Sequence, residues 1–164
     1  MHWYLVHTKP KQEKQALMQL EQQGFQCYLP TLFLEKLQRG KLVVKEEPLF
    51  PRYLFIQLGR AADSPSWAPI RSTKGVSRLV SFGSEPAKVS NELVQILQDH
   101  EQTQDQPQPL YRAGDKVLVT EGPFVGLEGV YQISDGDQRV IVLIEMLNKP
   151  VELRTSIDQI QKAP

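Results

Sequence analysis

Along the first hundred residues the spacing of apolar positions changes several times, and each change marks an element. Residues 3–8, WYLVHT, have the aromatic and β-branched content of a strand. In residues 8–24, TKPKQEKQALMQLEQQG, Ala16, Leu17 and Leu20 fall on one helical face, with Pro10 in the first turn and Gly24 as the stop. FQCYLP reads as a short strand, and residues 31–50, TLFLEKLQRGKLVVKEEPLF, as a hairpin with the basic tip Gln38-Arg39-Gly40-Lys41. Residues 52–58, RYLFIQL, are apolar nearly throughout, the pattern of a central strand. SPSWAPIRST opens on a Ser-Pro helix start that Pro69 limits to a turn or two. GVSRLVSFG is another strand. Residues 89–102, VSNELVQILQDHEQ, predict a helix with Ser90 as N-cap and Val89 stapled to Val94. The order β-α-β-β-β-α-β-α predicts an α/β (α+β) sandwich, a mostly antiparallel sheet carrying helices.

The pattern then breaks. Residues 99–116, DHEQTQDQPQPLYRAGDK, contain one large aliphatic side chain, Leu110, among Gln, Asp and Pro. Such a stretch buries too little surface to offset its ordering entropy and reads as a linker. It divides a domain over residues 1–100 from a smaller one over 111–164, with the linker at 101–110. In the second part, short apolar runs alternate with Gly-Asp, Glu-Gly-Pro, Asp-Gly and Asn-Lys-Pro punctuation, which predicts a small five-stranded barrel. One segment, QRVIVLIEMLNK at 138–149, satisfies two templates. Val140, Val142, Ile144 and Met146 line one face of a strand, whereas Val140, Leu143, Ile144, Leu147 and Val151 line one stripe of a helix.

Composition narrows the function more than the fold. The 164 residues carry no net charge, but residues 1–100 hold 13 Lys and Arg against 9 Asp and Glu, and the remainder reverses that balance. Halves of opposite sign fit a basic module that meets a polyanion and an acidic one that does not. No apolar run approaches the roughly 20 residues of a membrane helix. The opening MHWYLVHTKPKQEK lacks the pattern of a signal peptide, and the single Cys27 makes no internal disulfide, so a cytoplasmic protein is expected. Catalytic signatures are missing. EGPFVGLEG has spaced glycines but no following Gly-Lys-Ser/Thr, and neither G-x-S-x-G nor H-E-x-x-H occurs. His2, His7 and His100 are widely separated, so no metal, cofactor or enzymatic activity is expected.

Two stretches carry a resemblance. EEPLFPRYLFIQL, residues 46–58, resembles the strand of the NusG N-terminal domain, and GDKVLVTEGPFVGLEGV, residues 114–130, looks like a KOW motif. WYLVHTKPKQE and RSTKGVSRLVSFG fall where the family pattern places them, so the resemblance spans nearly the whole chain. Within the family, LEKLQRGK, EEPLFPRYLF, TKGVSRLVSFG and LNK look closest to the specialised RfaH-type paralogues. The resemblance implies a monomeric transcription antitermination and elongation factor that binds the clamp helices of the largest RNA polymerase subunit. Pro51, Tyr53, Leu54, Phe55 and Phe82 would form or support the apolar depression that receives them. It further implies recruitment through an element of the single-stranded non-template DNA. Lys9, Arg39 and Lys74 suit its phosphates, Gln12 and Thr73 its base edges, and Gln15 and Gln19 complete the set. Gln15 and Gln19 stand where basic or imidazole groups belong in that pattern, and residues 64–69 match the lobe-contacting stretch too poorly to assign a contact.

As a barrel, the second domain would hold a small-subunit ribosomal protein and couple transcription to translation. RfaH-like proteins are instead expected to keep it, in the free protein, as an α-helical hairpin docked over the depression, releasing it as the barrel. The resemblance pairs Glu47 with Arg139 across the domains and nominates Val119, Phe124, Leu127, Val130, Leu143, Ile144 and Met146 for apolar docking. An exposed ion pair contributes about 0–1 kcal/mol, so these apolar groups are expected to carry the docking. The alternatives are a general NusG-like factor with a permanent barrel and no DNA sequence preference, and an RNA- or ribosome-binding KOW protein.

Overall fold

The structure, a computed structural model, describes residues 1–59, 66–103 and 127–147. In chain order its first elements are β1 (His2–Thr8), α1 (Glu13–Gln22), β2 (Gln26–Tyr28), β3 (Thr31–Gln38), β4 (Lys41–Pro48) and β5 (Tyr53–Leu58). Then come β6 (Val76–Leu79), β7 (Ser81–Phe82), β8 (Glu85–Pro86), β9 (Lys88–Val89), α2 (Asn91–Thr103), α3 (Leu127–Val130) and α4 (Gly136–Leu147). The central sheet runs β2-β5-β1-β6, all antiparallel, with β9 also paired to β1. The predicted sandwich is therefore present, with β5 inside the sheet as its apolar run requires.

Strand alternation sorts this sheet into two cores. In the β1–β5 register Leu5 pairs with Phe55 and Val6 with Leu54, and directly paired residues share a face. Trp3, Leu5 and Phe55 belong to one core, which also takes Leu93, Val94 and Leu97 of α2. Tyr4, Val6, Leu54 and Ile56 belong to the other, closed by Ala16 and Leu20 of α1. Leu20 is fully buried, so truncating it to Ala would cost about 2–5 kcal/mol.

Several boundaries moved for identifiable reasons. Helix α1 starts at Glu13, after Pro10. The Lys9 N–H donates to the Gly75 carbonyl at 2.9 Å and Lys11 is left-handed at φ 61°, which delays the first helical turn. Gly24 stops the helix as read, at φ 96°. The β3–β4 hairpin turns on Arg39 (φ 53°) and Gly40 (φ 77°), the two positive values a tight two-residue hairpin turn demands. In place of the expected helical turn, residues 66–75 form successive turns closed by Ile70, Thr73 and Val76 N–H groups, each bonding three residues back; Ser64 and Pro65 lie outside the described residues. The Ser90 hydroxyl accepts the Leu93 N–H at 3.1 Å, making it the predicted N-cap. Helix α2 runs on to Thr103, into the stretch read as linker; residues 104–110 lie outside the described residues.

Of the segment that fitted two templates, the described residues 138–147 are helical. Asp135 receives the Asp137 N–H on its side chain and the Arg139 N–H on its carbonyl, starting α4. Residues 136–147, expected as a docked helix in the free protein and as barrel strands on release, are helical in this structure. The rest of that expectation, with Val119 and Phe124, lies outside the described residues.

Candidate functional site

The face of β5 that carries Tyr53 and Phe55 is where the described C-terminal residues meet the first domain. Phe55 is fully buried, stacked on Tyr28 with ring centroids 6.2 Å apart and edge-on to Phe50 at 6.4 Å. Tyr53 and Phe82 are half-buried against the same cluster. Leu127, Val130, Tyr131, Leu143 and Leu147 are buried in it too, with Val140, Val142, Ile144 and Met146 packed around them. Five of the apolar docking candidates, Leu127, Val130, Leu143, Ile144 and Met146, therefore lie in one cluster with Tyr53, Phe55 and Phe82. Pro51 lies at the start of α4, where a β-carbon on Gly136 would overlap its Cγ and come within 3.0 Å of its Cδ. Leu54 does not join them; it points to the opposite core, with α1.

The docked face of α4 carries a cation in its first turn. Arg139, Leu143 and Leu147 form its buried row, one turn apart, and Arg139 is wholly inaccessible. Its Nε donates to the Leu49 carbonyl at 2.7 Å, its Nη1 to the Ile133 carbonyl at 2.7 Å, and its Nη2 to Glu47 Oε2. The other Glu47 oxygen takes Lys36 Nζ at 2.5 Å. Burial alone would raise the Glu47 carboxyl, but the hydrogen bonds from Lys36 and Arg139 outweigh it and hold it below its ordinary value. The expectation of an exposed, weakly contributing ion pair is corrected here. A buried charge that loses its partner costs about 3–5 kcal/mol, so the pair disfavours any docked arrangement in which it is not formed, even where its net contribution is small.

A second contact lies beside it. Tyr131 stacks on His100 of α2 with ring centroids 3.7 Å apart. Burial pushes the Tyr131 hydroxyl above its usual range, and Glu101 adds to the shift. Burial lowers His100, with Glu101 opposing. The Glu101 carboxylate also accepts the Tyr28 hydroxyl at 3.2 Å and the Thr31 N–H at 3.0 Å.

The residues nominated for DNA gather along one side of α1. The Lys9 N–H bonds to Gly75, next to Lys74, and the Gln12 N–H bonds back to Lys9. Gln15 and Gln19 follow on α1, both half-buried. The Gln23 side-chain amide then bridges the Gln19 carbonyl at 3.2 Å and the Thr73 hydroxyl at 2.8 Å. Thr73 is buried and donates to the Pro69 carbonyl at 2.8 Å. Its hydroxyl is committed to the fold, while Lys9 and Lys74 are exposed. Arg39 stands elsewhere, at the hairpin tip.

Residues 1–98 match the family model described as "Transcription termination factor nusG". The chain belongs to the NusG family. A Thermus thermophilus relative named "Transcription termination/antitermination protein NusG" is 30% identical over 182 residues, covering 99% of either chain. A Deinococcus radiodurans relative of the same name is 29% identical over 188 residues, again covering 99% of each. A solved structure described as "Domain interaction in Thermotoga maritima NusG" covers 75% of this chain and 74% of that one, at 20% identity and a TM-score of 0.45.

Within this NusG-family chain, reading the sequence missed three residues of the site. Tyr131 and Leu147 belong to the buried interface, and Glu13 fixes the loop that leads into β5. The Glu13 carboxylate, itself buried, accepts the N–H of Arg52, which is left-handed at φ 73°. An acid in the first turn of a helix reads as a partner of the helix dipole, so nothing marked Glu13 as a long-range acceptor. Leu147 was legible from the helical stripe. Tyr131 follows a short apolar run and carries no spacing signal of its own. Among the described residues no group of three or more His, Cys, Asp or Glu is placed to hold a metal, and no described helix is long and apolar enough to cross a membrane.

Proposed function

We propose that this chain is an RfaH-type transcription antitermination and elongation factor. The Tyr53, Phe55 and Phe82 face receives the clamp helices of RNA polymerase, and residues 127–147 occupy that face while the factor is free. The observation that carries this reading is the packing of α4 over those aromatics, with Arg139 of its first turn bonded to Glu47. A helix seated in a groove suited to partner helices mimics the partner, and a few kcal/mol of differential contact suffices to select one form over the other. On release, residues 111–164 adopt the KOW barrel and hold a small-subunit ribosomal protein. Lys9, Gln12, Gln15, Gln19 and Lys74 meet the non-template strand, with Arg39 reaching it from the hairpin tip and Thr73 holding the turn that presents Lys74. The polymerase carries the chemistry, and the factor acts without cofactor or metal.

A general NusG-type factor is the second reading, favoured by the names of both relatives. Full-length chain and its Glu47→Lys variant, titrated against core RNA polymerase, separate the two. The autoinhibited factor binds polymerase more tightly once Glu47 is reversed; equal affinities would leave the general reading. For the DNA part, a paused complex is assembled with native or scrambled non-template sequence, and equal recruitment to both would remove the specific reader.

A further inference from the structure

The β3–β4 hairpin has two faces with opposite fates. The face carrying Leu32 and Leu34 is buried in the core cluster shared with α4. On the other, Phe33, Leu37, Leu42 and Val44 stand in water, 46%, 67%, 57% and 53% exposed. They are four of the seven large apolar side chains exposed among the described residues. The register brings them together: Leu37 pairs with Leu42, and Val44 and Phe33 follow on the same side, opposite Glu35 and Glu46. Concentration on one sheet face marks an interaction surface, because scattered apolar residues need no explanation and a contiguous patch does.

The base of this stripe opens into a groove between α1, β2 and the hairpin. Leu17, Cys27 and Leu29 supply its apolar lining and Glu21, Glu46 and Glu101 its carboxylates. Burial, then Glu21, pushes the Cys27 thiol up to about 12, so it contributes an uncharged surface. Among the described residues Lys14 is the one cation lining the groove, and it lies 3.5 Å from Glu46. At its far end the stripe reaches the basic tip, Arg39 and Lys41. From Thr31 to Leu37 it runs about 20 Å, the length of roughly 13 residues of α-helix.

We propose that this surface docks a cationic amphipathic helix of another protein, its basic end in the carboxylate groove and its apolar face on Phe33, Leu37, Leu42 and Val44. The carboxylates disfavour a nucleic acid or an anionic membrane. An added strand would need the hairpin edge, whereas these four side chains stand on its face. The surface points away from α4, so it stays open whether or not residues 127–147 cover the aromatic face. The inference therefore stands independently of the proposed polymerase site.

The test is amide NMR of the full-length chain titrated with a 14-residue Leu/Lys helical peptide, a Leu/Glu peptide of the same spacing, and a single-stranded oligonucleotide. Only the Leu/Lys peptide is expected to shift the amides of residues 31–37 and 42–46, together with those of Leu17 and Glu21. Glu21→Lys with Glu46→Lys should weaken that binding about tenfold. Phe33→Ser with Val44→Ser should weaken it as much, with unchanged β5 amides reporting an intact fold. Shifts confined to Tyr53 and Phe82, equal binding of the Leu/Glu peptide, or binding of the oligonucleotide over Phe33 and Val44 rather than at the Arg39 tip would each overturn the proposal. So would self-association through these amides without peptide, or contacts there from residues 148–164 of the same chain.

Discussion

Arg139 and Glu47 are 92 residues apart in the chain and joined by a hydrogen bond inside the protein, with Arg139 wholly inaccessible. The pair is not symmetrical. Glu47 keeps Lys36 as a second partner, whereas Arg139 also serves the Leu49 and Ile133 carbonyls. Glu47→Ala should destabilise docking by about 3–5 kcal/mol, because the guanidinium is left without a carboxylate. Exchange of the two charges, Glu47→Lys with Arg139→Glu, should restore only part of this, since a carboxylate at 139 cannot donate to either carbonyl. Hydrogen exchange of the α4 amides measures both, and full restoration by the exchange would contradict the asymmetry.

Gly136 separates helix propensity from docking. Alanine is the better helix former by at most about 1 kcal/mol at that position. A β-carbon there, however, would overlap Pro51 Cγ and lie 3.3 Å from Arg139 Nη2. Proline cannot swing aside as a flexible side chain would, so the overlap should cost about 1–3 kcal/mol. Gly136→Ala should therefore loosen docking although it favours the helix, while the amides of β1 and β5 keep their shifts. Firmer docking in exchange measurements would show that propensity dominates.

How much of this was legible in the sequence depends on where the deciding contacts lie. The first domain's strands and helices were readable because strand alternation and helical spacing record burial inside the domain, as Val6 and Leu5 do by pointing to separate cores. The form of residues 138–147 was not, because its apolar residues satisfy both periods and in this structure they pack on a surface elsewhere in the chain. Even the helical template misjudged the stripe: its buried row begins at Arg139, a residue any hydrophobicity count places outside. Thr73 shows the same limit at the DNA face. Its hydroxyl suggested a base contact, but Gln23 and Pro69 occupy it, a fact that resides in tertiary packing.

Thr73 and Lys74 should consequently separate under mutation. Thr73→Val removes the partner of the Gln23 amide and the bond to Pro69, so it should lower stability by about 1 kcal/mol. Lys74→Ala, at an exposed position, should leave stability unchanged. It should weaken single-stranded DNA binding and reduce the salt slope by about one. Thermal melts beside oligonucleotide titrations at several salt concentrations resolve the two effects. Loss of DNA binding by Thr73→Val without loss of stability would return Thr73 to the reading surface.

Acid should loosen α4 before it unfolds the domain. Burial lowers the His100 pKa from 6.5 while Glu101 opposes, so the docked form holds fewer protons than an open form in which the ring meets water. Its contribution is therefore complete above pH 6.5 and is lost as pH falls through the lowered value. Glu47 acts in a separate window: its depressed pKa means its contribution is present above 4.5 and fails only as pH falls further, through that lowered value. His7, lowered by burial and then by Arg52 and Arg78, titrates in the first window too, and lies against Tyr53 with ring centroids 4.9 Å apart. His100→Phe tells them apart, since it keeps a ring against Tyr131 and removes the proton. The α4 amides of the native chain should shift in a step below pH 6.5, and the variant should lose that step. A step that survives in His100→Phe belongs to His7.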